Sequence, residues 1–428
     1  MKVLVIGSGG REHALCWSLS RSANVTHIYC APGNAGIGHA AECVPVAADD
    51  IRGLADFAIA NAVELTFVGG EVPLALGVVD EFESRGLAII GPRKAAAQLE
   101  SSKAFAKDFM ARHGVPTAKY VIAHSPGFAL LELESGDFGG ADNPVVVKAD
   151  GLAAGKGVIV ALNRREAEIA INELANTVGS AAANKIVLEE CLTGKEISVL
   201  AFVDGESYAL MPAVRDHKRI GDGDTGPNTG GMGTVTDSSL LSADQVTEIE
   251  EKFVRPTLHG CVKEDMSFRG ILFLGLMMTA SGPKLLEYNI RFGDPEAQAI
   301  LVRLDTDLVD ICAAMLAIGG ASLRTTDIKW RPGSSSCVVL ASEGYPQKPR
   351  TGDIISGLDE AAAAPNVEVF HAGTSFTADG KFVTAGGRVL GVTATGDDLS
   401  AALESAYAGA GKISWPGMQY RKDIGKDQ

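Results

Sequence analysis

The residues best placed to do chemistry lie in one run, Leu285-Leu286-Glu287-Tyr288-Asn289-Ile290-Arg291-Phe292-Gly293-Asp294-Pro295-Glu296. Residues two apart in a strand share a face, so Glu287 and Asn289 would present two hard oxygen donors beside Arg291 and Asp294. Mg2+ takes one or two carboxylates together with phosphate oxygens and water. The pair therefore reads as a candidate Mg2+ (or Mn2+) site serving a phosphorylated substrate; a structural salt-bridge cluster is the alternative. A second concentration is Lys148-Ala149-Asp150-Gly151-Leu152-Ala153-Ala154-Gly155-Lys156-Gly157-Val158. Small residues let backbone approach phosphates closely, and lysines neutralise them. No G-K-[ST] precedes a helix, so this is not a P-loop. It reads as a flexible hairpin folding over a triphosphate, the alternative being an ordinary hairpin with solvated lysines.

Three further segments carry weaker signals. Ile186-Val187-Leu188-Glu189-Glu190-Cys191-Leu192-Thr193-Gly194-Lys195-Glu196 is a strand running into acidic residues and a turn, where backbone groups could read an adenine edge and a carboxylate could bind ribose hydroxyls. Gly7-Ser8-Gly9-Gly10-Arg11-Glu12 falls between a strand and a helix, where free N–H groups and the helix dipole favour an anion. The third glycine of a dinucleotide fingerprint would fall at Glu12, which argues against that use; a bare tight turn or a phosphate or substrate site remain. Asp216-His217-Lys218-Arg219, followed by the glycine-rich Gly226–Gly233, reads as a loop closing on an anionic substrate, with His217 structural or phosphate-contacting rather than a general base.

These segments must be held by a scaffold. Over the first hundred residues, short apolar runs (2–6, 25–30, 43–47, 65–68, 87–90) alternate with helix-length segments (11–21, 50–62, 74–85), which predicts βαβ units and a parallel sheet. A helix is expected over 101–113. A smaller α+β unit follows, with strands at 145–148, 158–161 and 186–189 and a helix at 164–177. Hairpins are expected at 197–203/207–214 and 271–279/285–289, with a helix at 244–263 between them and helices at 295–303 and 308–318 after them. Residues 221–236 read as a long loop without regular structure. The last hundred residues read as strand-rich (337–341, 367–370, 382–385, 389–395), with a helix near 399–408.

The chain has 428 residues, enough for several packed units. A net charge of −15 argues against a broad nucleic-acid or anionic-membrane surface. Seven scattered cysteines without a C-x-x-C pair suggest reduced thiols. The opening apolar run is too short for a signal peptide, and no stretch is long enough to span a bilayer. A cytoplasmic protein is expected.

Taken together these segments resemble the ATP-grasp superfamily, and within it the glycinamide ribonucleotide synthetase family. The likeness covers nearly the whole chain. It also rests on Gly7–Ala14, Pro32-Gly33-Asn34-Ala35-Gly36, Ser102-Lys103-Ala104-Phe105, Gly386-Gly387-Arg388-Val389-Leu390 and Arg421-Lys422-Asp423-Ile424-Gly425. The resemblance implies an α/β fold: an N-terminal parallel βαβ domain (1–100), a two-part ATP-grasp centre (101–120 with 191–327, and a lid at 121–190), and a C-terminal strand-rich domain (328–428). It implies a ligase joining glycine to 5-phosphoribosylamine with Mg-ATP through an acyl phosphate, giving glycinamide ribonucleotide, ADP and phosphate.

By resemblance Lys103 and Lys148 hold phosphates, with Gly155, Lys156 and Gly157 closing over them to exclude water. Glu287 and Asn289 hold the metal, and Arg291 stabilises the transferring phosphoryl group or the glycine carboxylate. Glu189 and Leu192 meet adenine, Glu196 the ribose, and Glu190 also belongs to the ATP site. Gly9, Gly10, Arg11 and Glu12, with Asp216, Lys218 and Asp294, form the phosphoribosylamine side. The expected partners are these small molecules, with no nucleic acid or membrane, and with transient contact to the enzyme that makes the labile amine. A monomer is expected. Three positions depart from the family pattern: Cys191 for an aromatic residue, Gly70 for proline and Lys195 for an acid. Competing readings are another ATP-grasp ligase, such as a carboxylase component or a D-alanine-type ligase, and an ATP-binding protein without turnover.

Overall fold

The computed structural model describes residues 1–151, 157–178 and 185–426. Gly155 and Lys156, expected at the phosphates, lie outside the described residues.

The N-terminal unit is a five-stranded parallel sheet in the order Glu42–Cys43, His27–Pro32, Lys2–Gly7, Leu65–Val68, Ile89–Ile90. Lys2–Gly7 is central and fully apolar along its middle, as a strand covered on both faces must be. Strand order reverses beside it, and such reversals open a crevice at the carboxyl ends of the strands. The Gly7–Glu12 turn sits there. The single helix expected at 74–85 is two, Glu71–Leu76 and Val78–Ser84, split at Gly77, whose φ of 94° no helical residue adopts.

Residues 120–190 form a four-stranded antiparallel sheet in the order Tyr120–Ala123, Ile186–Glu190, Val145–Ala149, Val158–Ala161. Two helices, Pro126–Glu134 and Arg164–Val178, pack on it over a core of its own that includes Leu133, Val147, Ile171 and Leu188. Tyr120–Ala123 and Pro126–Glu134 had no clear periodicity to announce them.

The third sheet is antiparallel, in the order Gly282–Asn289, Gly270–Thr279, Lys195–Val203, Val214–Asp216, Gly233–Thr236, Ser334–Ala341, Arg388–Gly396, Val367–His371, with Tyr208–Leu210 paired beside Lys195–Val203. It runs without a break from the central segment into the C-terminal one, through the pairing of Gly233–Thr236 with Ser334–Ala341. The expectation of a long irregular loop at 221–236 is therefore corrected. Arg219–Gly221 and Thr225–Asn228 form a hairpin, and Gly233–Thr236 is an interior strand, buried throughout. It went unread because Gly-Thr-Val-Thr offers no apolar run; its close packing rests on Gly233, where a side chain would meet the Cys337 carbonyl. The expected 244–263 helix is present as Ala243–Ile249 and Arg255–Lys263, joined by a π-turn at Glu250–Val254. Pro256, lacking an N–H, accounts for that widened turn.

The parallel sheet and the long antiparallel sheet share their cores. Phe292 lies between them with its ring 6.0 Å from Phe67 and 6.1 Å from Phe202. Phe292→Ala is expected to lower unfolding free energy by about 3–5 kcal/mol, read as a shifted urea midpoint. The first helix, Gly10–Ser20, meets the C-terminal segment through His13, whose Nδ1 accepts the His371 amide at 2.8 Å. Burial holds His13 down to about 3 and His371 down to about 4. Both are thus neutral in the fold across the pH range in which the unfolded chain gains their protons, below about 6.5. Stability should fall as pH drops from about 6.5 towards 4. Denaturation at a series of pH values should give His13→Gln a shallower acid slope than the native chain.

Candidate functional site

A cleft of about 490 Å³ opens where the three sheets meet. Its base is the edge strand Gly282–Asn289. A bulge opposite Gly275/Leu276 resets the alternation, so Tyr288 is buried while Glu287 and Asn289 both line the cleft. Neither side chain is consumed by the fold. Asn289 makes no side-chain hydrogen bond among the described residues, and the nearest cation to Glu287 is Lys218 at 3.8 Å. Burial alone would raise the Glu287 carboxyl, but Lys218, Lys148, Lys103 and Arg291 overcome it and hold it below its ordinary value. Among the described residues no cluster of three His, Cys, Asp or Glu forms a closed metal cage. Two free oxygen donors facing an open cleft suit Mg2+, which draws its other ligands from phosphate and water.

Opposite stand the lysines. Ser102 caps the helix Lys103–His113 and also donates to Asp150 (3.0 Å), while the Ala104 amide donates to the same carboxylate (3.1 Å). The base of the Lys148–Val158 hairpin is thereby tied to the helix that carries Lys103 and Lys107. Lys103 Nζ donates to the Gly151 carbonyl at 2.8 Å. Lys107 and Lys148 converge on Glu189, each at 2.8 Å from one carboxylate oxygen, and all three are buried. Burial, reinforced by Lys148, brings the Lys107 ammonium down to about 8 against the pull of Glu189.

Arg291 lies between Glu100 (2.6 Å) and Glu71 (3.5 Å). Lys218 is bonded to Glu196; although burial opposes it, Glu196, Glu287 and Asp216 raise its ammonium well above the usual value. From the C-terminal segment Arg388 reaches in, its guanidinium 3.6 Å from Asp294 and donating to the Gly230 carbonyl at 2.5 Å.

Several sequence candidates meet here: Lys103, Lys148, Gly157, Glu189, Glu287, Asn289, Arg291, Arg11, Asp216, Lys218 and Asp294 all line the cleft. Others do not. Glu12 turns back inside its own turn, accepting from the Gly9 amide (2.5 Å) and Arg11 Nε (2.6 Å), and fills the space that side chains at Gly7 and Gly69 would need. Gly9 and Gly10 back onto Asp294 and Gln298. Glu190 accepts the Lys119 amide (2.8 Å), and neither it nor Leu192 lines the cleft. Of the three departures, Gly70 caps a helix in extended conformation (φ −98°), Cys191 is half-buried and Lys195 is exposed.

Sequence reasoning missed Lys107, Glu71, Glu100 and Tyr345, and gave Arg388 and Glu296, both inside quoted motifs, no role. Lys107 follows Lys103 by four residues, a helical same-face spacing that was readable; the partners of Arg291 come from separate helices and leave no local sign.

A lysine-bearing antiparallel sheet, a strand with paired oxygen donors and a cleft of paired charges between them define an ATP-grasp ligase. Comparisons agree. The biotin carboxylase domain of Hydrogenobacter thermophilus 2-oxoglutarate carboxylase, solved with Mg-ADP, shares the fold at a TM-score of 0.71 and 17% identity, covering 98% of this chain and 91% of that one. The N, ATP-grasp (A) and C domains of phosphoribosylglycinamide synthetase match residues 1–100, 101–297 and 335–427. Phosphoribosylamine–glycine ligases of Xanthomonas campestris and Pseudomonas aeruginosa are 49% and 48% identical, each aligned over 99% of this chain and 97% of the relative. A crystal structure of the Thermotoga maritima phosphoribosylamine–glycine ligase matches at a TM-score of 0.83 with 34% identity, covering 99% of this chain and 100% of that one. The chain belongs to the phosphoribosylglycinamide synthetase family.

Removing one partner of a buried ion pair strands the other charge. Glu189→Gln leaves both buried lysines without their carboxylate and is expected to cost about 3–5 kcal/mol. Adding Lys107→Met should recover part of that loss, which a double-mutant cycle by chemical denaturation measures.

Proposed function

We propose that this ATP-grasp ligase joins glycine to 5-phosphoribosylamine, with ATP converted to ADP and phosphate through glycyl phosphate. The observation that carries the mechanism is the uncommitted Glu287–Asn289 pair facing Lys103 and Lys148 across one cleft. A carboxylate does not acylate an amine at neutral pH, so the γ-phosphoryl group must first be moved onto glycine. Charge then crowds the phosphate oxygens, and cations already in place stabilise that arrangement without reorganising. Lys103 and Lys148 hold the phosphates, and Glu189 holds Lys148 in position. Glu287 and Asn289 hold Mg2+ or Mn2+, which when bound neutralises phosphate charge. Arg291, fixed by Glu71 and Glu100, meets the transferring phosphoryl group or the glycine carboxylate.

The nucleotide's base belongs beside the Glu189–Leu192 strand end and its ribose near Glu196. Asp216, Lys218, Asp294 and Arg11 form the phosphoribosylamine side, with the Gly9–Glu12 turn behind them. Glu12, folded inward, shapes this side by orienting Arg11. We further infer that the units 1–100, 101–120 with 191–327, 121–190 and 328–428 act together in one cytoplasmic monomer. It would receive its labile amine by transient contact with the enzyme that makes it. Among the described residues no helix is long and apolar enough to cross a membrane.

ADP release from Mg-ATP should require both glycine and freshly made phosphoribosylamine. ATP binding without turnover on that pair would overturn the proposal. Glu287→Ala should reduce turnover by at least about 100-fold with the circular dichroism spectrum unchanged; near-normal activity would remove Glu287 from the metal site.

A further inference from the structure

The amine that attacks an acyl phosphate must lose a proton, and nothing assigned so far accepts it. Among the described residues, two carboxylates that line the cleft, Asp216 and Glu296, have no cationic partner in contact. Asp216 ends the strand Val214–Asp216, and its Oδ1 is buried without a hydrogen-bond partner. Gly231, held at φ +112°, packs its backbone against this carboxylate, so that a side chain there would come within 2.7 Å of Oδ1 and 2.6 Å of Pro295. Immediately after Pro295, Glu296 is 4% exposed and opens the helix Glu296–Leu301; among the described residues the side-chain donor near it is Ser198 Oγ, at 3.5 Å. The charged groups around Asp216 are Glu296, Lys218, Glu196 and Arg388. Those around Glu296 are Lys218, Arg291 and Asp294. His217 points elsewhere, its Nε2 accepting the Gly425 amide and its Nδ1 lying against the Gly233 carbonyl.

Resting on the ligase reading above, we propose that Asp216 is the proton acceptor for the attacking amine, with the buried Glu296 as a neighbouring carboxylate that tunes it. The amine nitrogen's lone pair forms the N–C bond to the glycyl carbonyl carbon. The C–O bond to phosphate breaks, its electron pair leaving with phosphate. The proton lost by nitrogen passes to the Asp216 carboxylate and then to solvent. Burial and the neighbouring Glu296 push the Asp216 carboxyl well above the ordinary range, and burial also raises Glu296. A base so raised is effective nearer neutral pH than a free aspartate.

The sign follows: the accepting form is present above the raised value and is lost as pH falls through it. The test is the pH profile of kcat with saturating Mg-ATP, glycine and phosphoribosylamine for the native enzyme, Asp216→Asn and Glu296→Gln. The native profile should fall on its acid side. Asp216→Asn should lose about 100-fold or more in kcat and lose that acid limb, with KM for ATP roughly unchanged. Glu296→Gln removes the neighbouring negative charge and should move the limb to lower pH, a shift that a purely structural role would not produce. An acid limb kept in place in both variants, or Asp216→Asn acting on KM for the amine alone, would overturn the proposal. Absence of ribonucleotide product from the native enzyme would instead overturn the ligase reading, and this proposal with it.

Discussion

The cations that face the cleft must be kept there before substrate arrives, and for all but Lys103, which donates to the Gly151 carbonyl, the protein does this with carboxylates. Lys107 and Lys148 share Glu189, Lys218 is bound to Glu196, Arg291 to Glu100 and Glu71, Arg388 to Asp294, and Arg11 to Glu12. The pairing lets a chain of net charge −15 keep seven basic side chains at one cleft. Buried pairs of this kind are weak contributors to stability, because desolvation offsets most of the attraction. Their value here is positional. The charges are aimed before the reaction begins, so little reorganisation is left for the moment of phosphoryl transfer.

That constraint explains the architecture around the cleft. Glu189 must lie between two lysines from different elements. It therefore sits on an inner strand of the four-stranded sheet, hydrogen-bonded on both sides, where its position is set by the ladder with Tyr120–Ala123 and Val145–Ala149. Glu287 and Asn289 must be free, so they lie on an edge strand whose bulge turns both into open space. Arg388 must come from the far end of the chain, and the continuous antiparallel sheet brings it there. The Gly233–Thr236 strand joins Val214–Asp216, which carries Asp216, to the C-terminal strands that carry Arg388.

The parts legible in the sequence were those whose cause is local. Glu287 and Asn289 followed from strand periodicity, and the parallel sheet from alternating runs. The Lys148 hairpin followed from small residues between strands. Beyond that reach lay whatever depends on partners distant in sequence. Gly233–Thr236 is a strand because Val214–Asp216 and Ser334–Ala341 flank it, not because Gly-Thr-Val-Thr favours one. Glu71 and Glu100 look like ordinary helix charges until Arg291 is placed between them. Glu189 illustrates a subtler limit. Its position at a strand end suggested a role at adenine, but its carboxylate is occupied by two lysines, and only their coordinates reveal that.

Glu12 resolves a related ambiguity. The Gly7–Glu12 turn stands where a dinucleotide fold would receive pyrophosphate, and the glycines invite that reading. The carboxylate occupies the same turn from within, accepting the Gly9 amide and filling the space above Gly7 and Gly69. An anion arriving there would meet a negative charge rather than free N–H groups. The glycines are therefore small in order to admit Glu12, which in turn fixes Arg11 against the Phe292 carbonyl at the edge of the cleft. A motif usually read as a phosphate cradle here serves to aim one guanidinium. The cations that face the cleft come instead from helices and strands of all three units, Arg11, Lys103 and Lys107 from helices and Lys148 and Arg388 from strands.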